Sequence, residues 1–263
     1  MLNVKTKVNN SFVQIKDNFL NTSSAKIIYQ NKVTRFGIVA KTILLLLITS
    51  LSTILSFVFL KTHPKFLILA QFLSLFYFII VVVSFRAGIN SVEKAKLSSF
   101  IYSIVMGMMI GTTLSIFDVY YHNVFPLSCI ALFATFLVFL VVSYLYYKGY
   151  VTIDKDSAIF KKIFLIAFIL FLAEIFSCIV FAIMRVENVM TYNIIAIPIN
   201  LFFIYFGVSM LIIHFNYVED IITKSMPKKY EWQLSLAFVS LFINIFMMIL
   251  DILMRLLGSN KRQ

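Results

Sequence analysis

Charged residues are scarce in this chain: Asp, Glu, Lys and Arg make up 13% of its 263 residues, about half the share of an ordinary soluble domain. A chain so poor in charge cannot clothe a water-facing surface, so a soluble globular domain is excluded. Acids are scarcer than bases, 11 against 23, which leaves a net charge of +12. Cysteine is nearly absent. Cys129 and Cys178 both fall inside apolar stretches and read as small buried hydrophobes rather than a disulfide or metal pair. There are only 7 Gly and 4 Pro, and no Gly-rich phosphate cradle occurs. His63, His122 and His214 lie in three separate places, so there is no HExxH site and no pair at metal-ligand spacing. GxSxG is missing too; Gly207-Val208-Ser209-Met210 lacks the second glycine. These absences argue against an enzyme and against a bound cofactor or metal.

What the chain has in abundance is hydrocarbon, with 61% hydrophobic residues and 29 Phe. Seven long apolar runs follow one another: Gly37–Leu60, Pro64–Phe85, Ser98–Phe117, Val124–Tyr147, Ala158–Ile183, Thr191–Phe215 and Trp232–Leu257. A hydrocarbon core of ~30 Å needs about 20 apolar residues of helix to cross it. None of the runs alternates with period two, so helices rather than barrel strands must satisfy the backbone in lipid. The expected fold is all-α, a seven-transmembrane-helix bundle over residues 37–258, with tails at 1–36 and 259–263. Residues 1–35 are polar and the first run has full spanning length, so a cleavable signal peptide is not expected. In the first tail Phe12, Ile15 and Phe19 recur at helical spacing; an interfacial helix and a disordered tail are both open.

Lys and Arg are placed by side. Six lie in the N-terminal tail to Arg35, then three (Arg86, Lys94, Lys96), four and three in alternate loops. The opposite side holds two, none, one and, with Arg255, three in the C-terminal segment. Sixteen against six, leaving aside Lys41, puts the N-terminus in the cytoplasm and the C-terminus outside a plasma membrane. This distribution also explains the basic net charge without nucleic acid. The basic C-terminal segment is discordant and admits a re-entrant last helix.

Ionisable groups within apolar runs cost at least ~2.5 kcal/mol at a helix centre and mark function. Glu174 lies in the fifth run. Asp251 and Arg255 lie one turn apart in the seventh and can pair. With Ser240 and Asn244 they fall on one face of that helix, a polar stripe that is either a structural seam or the lining of an ion path. Glu219 and Asp220 end the sixth run, as solvated acids or as a cation or proton site. In the third run Ser103, Gly107, Gly111 and Ser115 recur every fourth residue, a seam that lets helix backbones approach closely. Thr42, Thr49, Thr53 and Ser56 give the first run a polar face expected to turn into the bundle.

From Arg86 to Gly258 a series of landmarks occurs in order. Gly111-Thr112-Thr113-Leu114-Ser115-Ile116-Phe117 follows Arg86. Ala131 and Thr135-Phe136 with Phe139 come next, then Lys155-Asp156-Ser157. The series ends with Phe242-Ile243-Asn244-Ile245-Phe246 and Arg255-Leu256-Leu257-Gly258. In this the chain resembles the transmembrane Bax inhibitor motif (Bax inhibitor-1) family, as a divergent bacterial member. The resemblance implies six helices around a central seventh. For bacterial members it also implies a pH-sensitive calcium leak channel, gated by an aspartate pair at the cytoplasmic ends of the last two helices with an arginine close by. Arg86 fits the arginine. The aspartate of the sixth helix falls on Phe215, Val218 or Asp220 according to register. That of the seventh falls on Leu241 or Ile245, so the second gate carboxylate is absent.

The function expected is a leak for calcium or other cations along the central helix, with gating altered by the incomplete pair. The alternative is a non-conducting regulator or partner of an FtsH-type membrane protease complex, to which the resemblance also points and which the basic tail could contact. A secondary transporter fits less well, because seven spans divide poorly into inverted repeats and only Pro198 breaks a helix visibly.

Overall fold

The structure, a computed structural model, describes residues 32–121, 123–150 and 189–257. They form six long helices: α1 (Arg35–Thr62), α2 (Leu67–Asn90), α3 (Ala95–Tyr120), α4 (Val124–Tyr147), α5 (Val189–Thr223) and α6 (Tyr230–Leu257). A turn of 3₁₀ helix, Pro64–Phe66, joins α1 to α2. Each of the six is long and apolar enough to cross a membrane. The fifth expected span, Ala158–Ile183 with Glu174 and Cys178, lies outside the described residues, as do Phe12, Ile15 and Phe19.

Helix ends follow local chemistry. Thr34 caps α1, its side chain accepting from the Gly37 amide at 3.0 Å, as an N-cap hydroxyl does. At the end of α4, Gly149 takes φ +73°, while Gly149 N bonds Tyr146 O and Tyr150 N bonds Leu145 O. This pairing is the Schellman arrangement, which favours glycine at the left-handed position. Ser225 performs the same turn after α5 at φ +53°, with Met226 N on Ile221 O.

Helix α6 is the axis: it touches every one of the other five. Its buried residues, among them Leu234, Leu236, Val239, Ile243, Ile245, Leu250 and Met254, cover one half of the helix, and the polar residues Ser240, Asn244 and Asp251 lie on the other. By contrast α2 buries only Val81, Ser84 and Gly88 and leaves Phe72, Leu75 and Phe76 outward, where lipid is their solvent. The last helix runs unbroken over 28 residues, ~42 Å at helical rise. That length is enough to cross a hydrocarbon core of ~30 Å in one pass.

Cross-contacts fix the ends. The starts of α1 and α6 meet through Glu231, which binds Thr34 and Lys41. The start of α3 joins them through Ser99 Oγ on Trp232 O, and the end of α2 joins through Gln233 Nε2 on Ile89 O. Tyr146 at the end of α4 bonds Glu219 near the end of α5. Lys32 lies in a bridge with Pro227, and Val33 N bonds Met226 O. One end of the bundle thus gathers Lys32, Arg35, Lys41, Arg86, Lys94, Lys96, Lys148, Lys224, Lys228 and Lys229; among the described residues Lys61, Lys65 and Arg255 belong to the other end.

Candidate functional site

The basic end is organised around one carboxylate. Glu231, in the first turn of α6, has a fully buried side chain. Its Oε2 accepts from Lys41 Nζ at 2.6 Å, and its Oε1 accepts from Thr34 N at 3.0 Å and Thr34 Oγ1 at 3.1 Å. Gly37 makes the room, because a Cβ there would collide with the carboxylate. The acid therefore sits at the N-terminus of its own helix and against that of α1, where both sets of free amides and dipoles favour negative charge. Lys41 also lies over the Trp232 ring at 4.9 Å, with Lys96 at 5.9 Å. Ser235 Oγ completes the junction by donating to Ile38 O at 2.9 Å.

The polar stripe of α6 begins two turns above Glu231. Ser240 lines a cavity of about 390 Å³ together with Tyr102 of α3 and with Arg86, Asn90 and Phe85. Asn244, a turn further on, is exposed among otherwise buried neighbours. The stripe ends at Asp251, whose Oδ2 accepts from Arg255 Nε at 2.6 Å and from Asn200 Nδ2 at 2.5 Å. Asn200 comes from α5 and is 2% exposed. Apolar residues flank the stripe, and Leu241 packs into the α5–α6 cluster with Leu211 and Phe215.

The sequence-level acids behave differently from one another. Glu219 pairs with Arg35 at 3.5 Å and accepts from Tyr146 Oη at 3.0 Å. Asp220 turns outward to Lys224, one turn along its own helix, at 2.7 Å. Of the three positions open to the aspartate of this helix, Val218 is buried in the α5–α6 cluster and Phe215 packs against it, while Asp220 faces outward. Arg86 is exposed, and among the described residues no acid pairs with it. No group of three or more His, Cys, Asp or Glu that could hold a metal ion occurs among the described residues.

Gly107 and Gly111 lie directly against α1. A Cβ on Gly111 would sit 2.6 Å from Thr53 O, and one on Gly107 2.7 Å from Ser52 Cβ. At this approach Ser52 Oγ donates across to Ile104 O at 2.8 Å and Ser56 Oγ to Met108 O at 3.3 Å. Thr42, Thr49 and Thr53 instead bond their own helix carbonyls. Ser115 does the same, to Gly111 O. Ser103 is buried with no hydrogen-bond partner among the described residues.

Sequence inspection passes over Lys41, Thr34, Gly37, Asn200 and Tyr102. Lys41 and Asn200 carry a usable signal, a polar group inside an apolar run that must find a partner. Nothing local marks Gly37 or Tyr102.

Asp251 and Arg255 form a partly buried pair, so removing one strands the other. Asp251→Asn and Arg255→Gln should each lower the melting temperature by several degrees, and the double variant should recover part of the loss. Simple additivity in thermal melts would show that the two groups act independently. Asn200→Leu should weaken Asp251→Leu little, because both remove the same hydrogen bond.

An enclosed apolar axis, buried ion pairs and lipid-facing helices define a multi-pass α-helical membrane protein. The chain belongs to the Bax inhibitor 1 like family, whose profile matches residues 8–258. No curated protein and no solved structure matches it.

Proposed function

We propose that this protein is a seven-span leak pathway for calcium or other cations, with its N-terminus in the cytoplasm and its C-terminus outside the plasma membrane, and that it performs no catalysis. The observation that carries the reading is the polar row Ser240, Asn244 and Asp251 on a helix whose other faces are enclosed in hydrocarbon. Such groups are expensive within a membrane unless water or an ion uses them. The seventh span is supported by parity. Helices α4 and α5 end on the same face, since Tyr146 bonds Glu219, so α5 begins on the face opposite to the end of α4, as one further span between them would require. The orientation rests on the excess of Lys and Arg at the end where α1 starts.

In this reading Asp251 supplies the single carboxylate of the pathway, with Asn200 and Arg255 setting its position and damping its charge. Calcium takes six to eight oxygens in a tight site; one carboxylate and a few hydroxyl and amide oxygens favour passage over retention. With Leu241 and Ile245 where a second gate acid would stand, strongly coupled titration is lost and the pH dependence should be shallow. A second reading, the non-conducting partner of an FtsH-type membrane protease, is favoured by a different observation. Every acid within the described spans is already ion-paired: Asp118, Glu219, Asp220, Glu231 and Asp251.

Cation flux into proteoliposomes holding the pure protein separates the two. The leak reading expects calcium entry that falls about tenfold or more in Asp251→Asn, roughly the 1.4 kcal/mol per decade of a lost charge contact, and hardly at all in Asp220→Asn. Flux absent at every pH in wild-type protein would leave only the partner reading. Steep pH gating would overturn the incomplete gate.

A further inference from the structure

At the basic end, α1, α4 and α5 leave a groove of about 570 Å³ between them. Its floor is apolar and aromatic: Ile38, Phe215 and Phe238, with Tyr146 stacked on Phe215 at 5.1 Å and Phe215 against Phe238 at 5.3 Å. Its mouth holds one charge of each sign. Arg35 and Glu219 face one another there at 3.5 Å, with side chains 67% and 48% exposed. That distance is at the long limit of a hydrogen bond, and an exposed pair of this kind contributes little by itself. Both charges are therefore accessible to a ligand at low cost.

The depth of the groove is marked independently. Tyr147 lines the groove, and Phe36 and Tyr150 follow the lining residues Arg35 and Gly149 in the chain; all three are at least 75% exposed, as aromatic side chains are at the headgroup level of a bilayer. Lys148 lies among them, over the Tyr144 ring at 5.8 Å. A hydrocarbon-lined groove opening at headgroup level, with a cation and an anion a few ångström apart, matches an amphiphile with a zwitterionic head.

We propose that this groove binds a phosphatidylethanolamine-type lipid from the leaflet on the basic side of the bundle. The phosphate meets the Arg35 guanidinium, whose planar fork suits phosphate oxygens. The primary ammonium donates to Glu219, and one acyl chain lies along Phe215 and Phe238. A choline head carries the same charges but has no N–H to donate, and a glycerol head has no cation for Glu219. The headgroup preference follows from that difference, and the site is independent of whether the protein conducts.

The test uses the full chain in nanodiscs, with Tyr147→Cys bearing a bimane label in a Cys129→Ala, Cys178→Ala background. Lipids brominated along the acyl chain quench the label when they occupy the groove. Brominated phosphatidylethanolamine should quench at a several-fold lower mole fraction than the choline or glycerol lipid. Glu219→Gln should bring the ethanolamine lipid level with the choline lipid, and Arg35→Gln should weaken all three. Tyr146→Phe, which releases one Glu219 oxygen to the ammonium, should increase the ethanolamine preference. Equal quenching by all three lipids in the unsubstituted groove would mean ordinary bilayer contact or cover by the chain itself, and would overturn the proposal. A preference for the glycerol lipid would do so as well, by reducing the site to a cationic patch. Displacement by soluble glycerophosphoethanolamine at equal concentration would assign it to a free zwitterion instead.

Discussion

Glu231→Gln should lower the melting temperature of the purified protein by about 10 °C, and Lys41→Gln should do the same. The carboxylate is fully buried and holds three donors, so neutralising it leaves Lys41 as an uncompensated charge beside Trp232. Breaking a buried pair from one side costs ~3–5 kcal/mol, and a domain of this size shifts by roughly 2–4 °C per kcal/mol. The pairing does not have to be ionic for the bundle to stand. Lys41→Met with Glu231→Leu, which removes both charges and keeps the volume, should regain most of the loss. Thermal melts in detergent followed by circular dichroism measure all three. If the single variants melt within about 2 °C of the parent, water reaches the carboxylate and the clasp contributes nothing.

The second large effect is steric. Gly107→Val and Gly111→Val should each prevent assembly of a stable monodisperse protein. A branched side chain at either position meets the α1 backbone and the Ser52 or Ser56 side chain, so α1 and α3 must separate along their whole seam. Separation would also remove the Ser52 and Ser56 cross-bonds. Overpacking of this kind costs ~3 kcal/mol or more when backbone must move. Ser103→Ala, on the same stripe, should be neutral or slightly stabilising, because its buried hydroxyl satisfies no partner among the described residues. Monodisperse yield and melting temperature distinguish the outcomes; a well-folded Gly111→Val variant would show that the helices are held apart by something other than van der Waals contact.

Hydropathy made the spans legible because a bilayer imposes one length on every helix. Val124–Tyr147 is bounded identically in sequence and structure, since Asn123 and the Lys148-Gly149 pair stop the apolar run sharply. A close-packing seam on α3 could also be read from glycine and serine at every fourth residue, though not that α1 is the helix against it. What hydropathy cannot supply is which helix touches which. The central place of α6 was implied by family resemblance and not by composition: its mean apolarity is no greater than that of α2, which faces lipid. Pairings across the chain were equally hidden. Lys41 and Glu231 are 190 residues apart, and Glu231 considered alone is an ordinary acid in the first turn of a helix. Asp220 is the one acid among the three registers the family resemblance allows, and the angle of its side chain on α5 takes it to Lys224. Helical phase relative to neighbours decides such cases, and phase is fixed by packing.

The enclosure of α6 by helices that all precede it has a temporal side. A ribosome delivers the chain from its N-terminus, so the earlier spans enter the membrane before the element they surround exists. Until Tyr230–Leu257 emerges, the apolar faces destined for it are available only to lipid or to one another, and Lys41 waits in the bilayer's edge without its acid. The Thr34–Glu231 contact, bridging 197 residues, can form only after nearly all of the chain has been made. Assembly therefore closes at the point where the first helix meets the last, and a chain cut short before Tyr230 would lack both its axis and the acid that joins its two ends.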